Sequence, residues 1–252
     1  MSRVADPRPT HEHPLLGAPR RDAISALLLA MMTAAVFILV ADGATRGHIH
    51  RADASFLRQM ISIRSGPLTI VAKIFNFLGL VYITLPVRLA IALFLGLRRR
   101  WWHFAAFATS IVLAEASIGL LKGVYGRARP PGSLVATSGT SFPSGHAVAA
   151  SVTVVAAVIA LFPEGSRRYA WGALAAAFSL IMGLSRAYLG AHWLSDAVAG
   201  VLLGTSVSLC VALSVHVLRE HGLTVRNPGV ERARAQPVAA HPEAETPRAA
   251  DG

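Results

Sequence analysis

Long apolar runs, separated by short polar segments, occupy the middle of this chain. They cover residues 24–40, 67–97, 101–121, 146–162, 169–184 and 193–217. Because a helix needs about 20 apolar residues to cross a bilayer, the pattern predicts an all-α, polytopic membrane bundle of six transmembrane helices. The second run is too long for one perpendicular crossing and too short for two. We therefore expect it to form a single span that is tilted, or kinked at Pro86.

Polar segments flank the predicted bundle at both ends. Residues 1–22 lack periodicity and residues 219–252 are rich in Pro, Ala and charge, which predicts two disordered tails around a membrane domain over 23–218. The first run could instead be the core of a signal peptide. The segment before it is long and no clear small-residue cleavage site follows, so we expect it to be retained as a span.

The mixed stretch 42–66 carries one amphipathic pattern. Phe56, Leu57, Met60 and Ile61 fall on one face of a helix. A helix with one apolar face and otherwise polar residues suits the interface between lipid and water. We predict a short helix on the membrane surface here.

Arginine is unevenly distributed between the two sides of the predicted bundle. The chain is 54% hydrophobic and 15% charged, with a formal net charge of +11, whereas a soluble domain carries about 25% charged residues. With the N-terminus inside, fourteen arginines fall in inside segments and four in outside ones, apart from the motif cations. The positive-inside rule then places both termini in the cytoplasm. Topology and anionic lipid explain the charge, so we expect no nucleic-acid partner.

Three short segments with chemically active side chains stand at the ends of apolar runs. On this topology all three lie on the outer, non-cytoplasmic side of the cell membrane, so we expect them to form one site. Their side chains of interest are Lys122, Arg129, Ser144, Gly145, His146, Arg186, His192 and Asp196.

The spacing of His192 and Asp196 predicts an oriented nucleophile. Residues four apart share one face of a helix. A carboxylate that accepts from Nδ1–H leaves Nε2 with a lone pair pointing away, as a histidine nucleophile requires. The alternative is an interfacial histidine beside a helix-capping aspartate.

The segment after Pro143 predicts a helix N-terminus at Ser144, Gly145 and His146. Free N–H groups and the positive end of the helix dipole make such a terminus an anion site, and glycine lets the backbone approach a phosphate closely. An ordinary Pro-Ser helix start is the alternative.

The cations Lys122, Arg129 and Arg186 are suited to neutralising the oxygens of a phosphoryl group in transit. Phosphoryl transfer needs little beyond positioning and charge stabilisation. The alternative for each cation is a helix-end side chain that reaches out of the membrane.

Together the segments resemble the three-part signature of the type-2 phosphatidic acid phosphatase family, also called the acid phosphatase/vanadium-dependent haloperoxidase superfamily. The resemblance covers about residues 100–217, and no signature position departs from the pattern. The matching residues are Lys122, Arg129 and Pro130, then Pro143, Ser144, Gly145 and His146, then Ser185, Arg186, His192 and Asp196.

The resemblance implies a role for each residue. His192 is the nucleophile that forms a phosphohistidine, Asp196 orients it, and His146 is the general acid for the leaving oxygen. The phosphoryl oxygens are held by Lys122, Arg129, Arg186, Ser144 and Gly145. The family needs no metal, and we expect no cofactor. The sequence agrees, since it has a single cysteine, Cys210, and no cluster of carboxylates or histidines with ligand spacing.

Four functions were weighed against this pattern. The favoured one is a membrane phosphatase for a lipid phosphate or diphosphate, with polyprenyl diphosphate, phosphatidic acid and phosphatidylglycerol phosphate as candidate substrates. A lipid phosphotransferase would use the same phosphohistidine with a hydroxyl acceptor. A haloperoxidase is disfavoured by six membrane spans, and a non-enzymatic lipid-handling protein by the presence of both histidines. The sequence leaves the choice of lipid open.

Two charges fall inside predicted spans without belonging to the signature. Lys73 lies six residues inward from Pro67, and Glu115 seven residues inward from Lys122. Ionisable groups at such depth usually find partners, so one hypothesis is a buried Lys73–Glu115 pair. The alternative is that Lys73 reaches outward while Glu115 is protonated or bonded to a serine such as Ser110.

Overall fold

The computed structural model describes residues 13–226, with side chains described as far as residue 220. Within these residues the chain forms eight helices and no strand, which confirms the all-α prediction. The helices are α1 (Pro19–Ala41), α2 (Gly43–Ser62), α3 (Gly66–Leu78), α4 (Val81–Leu97), α5 (Trp101–Tyr125), α6 (Gly145–Leu161), α7 (Ser166–Tyr188) and α8 (Leu194–Arg226). The chain divides into two units, Met1–Val217 and Leu218–Gly252, and the contacts described below lie within the first.

Candidate membrane spans follow the predicted apolar runs. Among the described residues, four helices are long and apolar enough to cross a membrane: α1, α5, α7 and α8 from Leu194 to Glu220. The consecutive helices α3 and α4 meet the same criterion jointly, which raises the number to five. α6 is apolar but has 17 residues, so a sixth span depends on this shorter helix. The six-span count and the cytoplasmic termini stay predictions.

The second predicted span is broken, and the break is not at its proline. α3 and α4 meet at Gly79 and Leu80 with a bend of 51°, whereas α4 continues through Pro86. A Cβ on Gly79 would lie 2.5 Å from Cδ2 of His146, closer than real Cβ contacts come. The chain thus has its break where a residue without a side chain packs against His146, and a kink at Pro86 stays a prediction.

The predicted amphipathic helix is present as α2. Leu57 is buried, and Met60 packs against Tyr188 and Leu189 at the end of α7. Asp53, one turn before Leu57, is also buried, with 3% of its surface exposed. α2 therefore brings a buried carboxylate into the bundle, while its place at the membrane surface stays a prediction.

α6 lies at the centre of the bundle. It packs against α4, α5 and α7, and it contacts α8 closely. A Cβ on Gly200 would lie 2.8 Å from the carbonyl oxygen of Ser144, and one on Gly204 would lie 2.7 Å from that of Val148. Glycine at these two positions lets α6 and α8 approach each other, so that the N–H of Ser144 donates to the carbonyl of Asp196 at 3.0 Å.

Both predicted tails lie largely outside the described residues, which exclude 1–12 and 227–252. Within the described part of the first tail, Leu15 and Leu16 are buried in the core. Within the described part of the second, α8 continues to Arg226.

Glu115 pairs with Arg88, and the hypothesis of a direct Lys73–Glu115 pair is wrong. Oε1 of Glu115 lies 2.7 Å from Nη1 of Arg88, while Lys73 is exposed on α3. Arg88 also donates from Nε to the hydroxyl of Thr153 at 2.8 Å and from Nη2 to the carbonyl of Ala149 at 3.2 Å. Because the chain bends between α3 and α4, it is Arg88 on α4 that reaches the contact between α5 and α6.

Candidate active site

His192 and Asp196 lie together at the start of α8. Asp196 is fully buried, and its Oδ2 accepts hydrogen bonds from the backbone N–H of Trp193 at 2.9 Å and from the hydroxyl of Ser141. Nδ1 of His192 lies 3.5 Å from the same oxygen and makes no hydrogen bond to the described residues. Other donors thus hold the carboxylate within reach of the imidazole, and such distances often shorten when substrate binds.

Arg129 determines which nitrogen of His192 carries the proton. Its Nη1 lies 3.1 Å from Nε2 of His192 and donates to the carbonyl of Ala191 at 2.7 Å. Since a guanidinium only donates, Nε2 must accept and the proton must reside on Nδ1, which faces Asp196. This is the tautomer that a nucleophilic Nε2 needs.

The imidazole of His192 sits in the connection between α7 and α8 and is 3% exposed. Burial lowers its pKa to about 4, and the neighbouring carboxylate of Asp196 offsets this effect only in part. Arg186 and Arg129 also lower the pKa, because a protonated imidazole would add another positive charge beside them. His192 is therefore neutral near pH 7, with the Nε2 lone pair available.

The three cations predicted from the sequence converge beside His192. Lys122, Arg129 and Arg186 interact electrostatically with one another. Nζ of Lys122 and Nη2 of Arg129 both donate to the carbonyl of Thr140, at 2.6 Å and 3.2 Å. Like charges gathered in a largely buried place disfavour one another unless an anion joins them. The arrangement therefore suits a group with several negatively charged oxygens.

Three buried polar atoms next to these cations make no hydrogen bond within the described part of the chain. They are the hydroxyl oxygen of Ser144, Nε2 of His146 and Nε of Arg186. His146 interacts electrostatically with Arg186, His192 and Arg129, so its ring faces the same space. Buried polar atoms are normally hydrogen-bonded, and a ligand that accepts and donates here would satisfy all three.

The N-terminus of α6 adds backbone donors to this space. α6 starts at Gly145, after Ser144, and no side chain caps it. Among the described residues no hydrogen bond uses the N–H of Gly145 or of His146, as expected for the first turn of a helix. Around Gly145 only Ile118 would come within 4 Å of a Cβ, at 3.7 Å. The predicted helix start is thus present and open, and its binding of an anion stays a prediction.

Arg127 is a further member of the site that was missed in the sequence. Its Nη1 lies 2.6 Å from Oδ1 of Asp196 and 2.7 Å from the hydroxyl of Ser195. Its Nη2 lies 2.7 Å from Oδ2 of Asp53. The same oxygen accepts from the hydroxyl of Ser195 at 2.6 Å, and Oδ1 of Asp53 accepts from the N–H of Ser195 at 2.9 Å. Arg127 therefore binds the carboxylate oxygen that does not face the imidazole, and it joins α2 to the start of α8.

Asn76 on α3 is a second residue that sequence reasoning missed. Its side-chain oxygen accepts a hydrogen bond from Nη1 of Arg186, which orients a guanidinium that is 3% exposed. The sequence offered one signal for each of these residues. Asn76 is a polar residue inside the apolar run 67–97, and Asp53 is an acidic residue within the amphipathic stretch 42–66. No spacing rule connects either residue to the signature segments.

Comparison with protein families agrees with this geometry. The model of the PAP2 superfamily matches residues 103–220. Over this range, which is just under half of the chain, the sequence is similar to PAP2 superfamily proteins. The resemblance seen in the sequence is thereby confirmed, and the match contains every site residue predicted from the sequence. Asp53 and Asn76 lie before the matched PAP2 region.

Curated relatives of this chain include two phosphatases. Over 123 residues it is 36% identical to the lipid A 1-phosphatase of Rhizobium etli, a match that covers 44% of this chain and 50% of that protein. Over 147 residues it is 31% identical to the undecaprenyl-diphosphatase of Sulfolobus acidocaldarius, covering 55% of this chain and 65% of that protein. The chain thus spans about half the length of the first of these relatives.

A solved structure shows the same PAP2 fold. The crystal structure of a transmembrane PAP2-type phosphatidylglycerolphosphate phosphatase from Bacillus subtilis matches with a TM-score of 0.64 and 23% identity. The match covers 78% of this chain and 96% of that one. The helical architecture described above is therefore shared with that protein.

Proposed function

We propose that this PAP2 protein is a metal-independent membrane phosphatase that hydrolyses a lipid phosphate or diphosphate through a phosphohistidine on His192. The observation that carries the proposal is the cradle of donors around a neutral imidazole. It consists of three cations and of buried atoms of Ser144, His146 and Arg186 that make no hydrogen bond to the described residues. A phosphoryl group supplies the charge and the oxygen atoms that these groups lack.

In the first step, Nε2 of His192 attacks the phosphorus. The nitrogen lone pair forms the P–N bond while the bond from phosphorus to the leaving oxygen breaks, and His146 gives that oxygen a proton. Arg129 moves its Nη1 donor from Nε2 to a phosphoryl oxygen. Positive charge that develops on the imidazole is stabilised through Nδ1–H by the carboxylate of Asp196.

In the second step, a water molecule attacks the phosphohistidine. The neutral imidazole of His146 takes a proton from this water, the P–N bond breaks, and its electron pair returns to Nε2 of His192. Inorganic phosphate leaves, and His146 is again protonated for the next cycle. The cations hold the phosphoryl oxygens throughout, so that charge is neutralised without a metal.

A lipid is the substrate class that fits both the relatives and the helices. The relatives are phosphatases of lipid A and of undecaprenyl diphosphate. The site residues lie at or near the ends of apolar helices, several of which are long enough to cross a membrane. A phosphotransferase remains the alternative and differs only in the acceptor, a hydroxyl in place of water.

The active site is proposed to face the non-cytoplasmic side. The support is the excess of arginine in the segments assigned to the inside. Single cysteines at 135 and 165, in a Cys210→Ser background, test this with an impermeant thiol reagent on intact cells. Position 135 should be labelled and 165 should not, and the reverse pattern would place the site in the cytoplasm.

Phosphate release by purified protein from a panel of lipid phosphates tests the reaction itself. His192→Ala should abolish phosphate release, and Asp196→Asn should retain a small fraction of the wild-type rate. His48→Ala, which removes an exposed histidine on α2, is the matched control and should not change release. Normal turnover by folded His192→Ala protein would refute the mechanism. Phosphate appearing on an added alcohol rather than in solution would favour the phosphotransferase.

A further inference from the structure

A groove leads from the candidate active site into the membrane part of the bundle. It has a volume of about 710 Å³ and runs between α4, α5 and α6. Gly79 and Gly145 line it at one end, the first packed against His146 and the second next to it in the chain. This end of the groove therefore lies next to His146. Its walls are largely apolar, with side chains such as Leu85, Leu89, Ile111 and Val112.

One charged pair interrupts these apolar walls. Arg88 and Glu115 both line the groove, but they are buried to different extents. The side chain of Arg88 is 9% exposed, whereas that of Glu115 is 46% exposed. Oε1 of Glu115 is bound by Arg88 at 2.7 Å. Within the described residues Oε2 makes no hydrogen bond, so a carboxylate oxygen is presented to the groove.

The depth of this oxygen matches a particular part of a lipid. Glu115 lies seven residues before Lys122 on α5, which is about 10 Å along the helix. When a phosphoryl group lies beside Lys122, the groove at Glu115 receives the region where acyl chains join the rest of an acylated lipid. A polyprenyl chain has only hydrocarbon at this depth.

The chemistry of Glu115 then selects among acylated lipids. An ionised carboxylate accepts hydrogen bonds and cannot donate them. A free carboxylate oxygen next to hydrocarbon is unfavourable unless a donor satisfies it. Ester-linked chains offer only acceptors at this position, whereas amide-linked or hydroxylated chains offer N–H or O–H groups.

We propose that Glu115 is a specificity residue that accepts a hydrogen bond from an amide N–H or hydroxyl in the acyl part of the substrate. The groove holds the hydrocarbon of that chain. This inference rests on the proposed phosphatase function and narrows it to phosphorylated lipids with amide-linked or hydroxylated acyl chains. Polyprenyl diphosphates and simple diester lipids are then poorer substrates.

The test compares two lipids that differ in donors. Ceramide 1-phosphate and a phosphatidic acid of matched chain lengths are offered to the full-length protein in mixed detergent micelles, with para-nitrophenyl phosphate as a substrate that has no chain. We expect kcat/KM to favour ceramide 1-phosphate by roughly 10-fold, as for one hydrogen bond to a charged acceptor. Hydrolysis of para-nitrophenyl phosphate shows whether the protein has phosphatase activity, independently of how it recognises a lipid chain.

Glu115→Gln separates the hydrogen bond from the bulk of the side chain. The amide oxygen of glutamine can still accept from Arg88, which turns its NH₂ group toward the groove. The preference for ceramide 1-phosphate should fall by roughly 10-fold or reverse, while turnover of para-nitrophenyl phosphate stays unchanged. Glu164→Gln is the matched control, since Glu164 pairs with Arg21 at 3.1 Å and lies outside this groove. It should keep the wild-type preference.

The outcomes distinguish this inference from the function on which it rests. If wild-type protein hydrolyses none of the three substrates, the proposed function fails. If it hydrolyses them but treats both lipids equally, or if Glu115→Gln retains the wild-type preference, the inference about Glu115 is overturned. If Glu115→Gln does not fold, the preference of the wild-type protein for ceramide 1-phosphate over phosphatidic acid is the test of the inference.

Discussion

Arg127→Lys is the substitution that best tests how the candidate nucleophile is oriented. Arg127 spans two buried carboxylates, with Nη1 at 2.6 Å from Asp196 and Nη2 at 2.7 Å from Asp53. Lysine keeps the positive charge, but a single ammonium lacks the fork that reaches both partners. Arg127→Ala would strand both carboxylates, at a cost of about 3–5 kcal/mol per buried pair, so lysine is the more informative change.

The magnitude follows from one lost charge-assisted hydrogen bond. Such a bond contributes about 1.5–3 kcal/mol, and about 1.4 kcal/mol of transition-state stabilisation is a factor of ten in rate. Arg127 touches Asp196 on the oxygen away from the imidazole, so the loss acts through the alignment of Asp196 with His192. We expect kcat to fall roughly 10- to 100-fold with little change in KM, because Arg127 does not face the cradle.

The assay is steady-state release of phosphate by purified protein, with kcat and KM determined separately. Arg51→Lys is the matched control, since Arg51 is exposed on α2 and its one side-chain hydrogen bond among the described residues is to His48. Asp53→Asn combined with Arg127→Lys should cost less than the sum of the single changes, because both act through one network. Wild-type kcat in folded Arg127→Lys protein would refute the reasoning, and a loss confined to KM would place Arg127 on the substrate instead.

Three further predictions concern the pH dependence, the packing and the chemistry of the site. Because burial lowers the pKa of His192 to about 4, Nε2 is free above that pH and protonated below it. After correction for ionisation of the substrate phosphate, the acid limb of the kcat/KM profile should be centred near pH 4, and an acid limb centred on the ordinary histidine value would contradict this assignment. Gly79→Ala should lower kcat, because its Cβ would lie 2.5 Å from Cδ2 of His146 and overpacking costs about 1–3 kcal/mol. Gly119→Ala on α5 should leave kcat unchanged, because a Cβ there would meet nothing within 4 Å. Equal kcat values for the two variants would argue against the close contact between Gly79 and His146. Activity should survive chelator and be inhibited by vanadate, since side-chain cations hold the phosphoryl oxygens; a strict requirement for added magnesium would count against this.

Short-range relations within the site were readable from the sequence. The helix start at Ser144 and Gly145 depends on helix geometry that holds wherever a helix forms. The approach of His192 to Asp196 was also predicted, although His192 lies in the connection just before α8 and not on the helix itself. The apolar runs are likewise long enough to predict helices that cross a bilayer, because hydrocarbon leaves few alternatives for the backbone. These features therefore needed no knowledge of how the helices pack.

Pairings between helices were decided by the tertiary structure alone. Arg127 meets Asp53 across 74 residues of sequence, and Glu115 meets Arg88 where the sequence suggested Lys73. Which side chains meet depends on the rotation and direction of each helix. The bend at Gly79 gives α4 a rotation and a direction that the continuous second span predicted from the sequence would not have. Apolar patterning specifies that a helix is buried in a membrane bundle, but all faces of such a helix are apolar and the pattern says little about rotation. Close packing of the whole bundle sets that rotation, and with it the polar contacts that support the site.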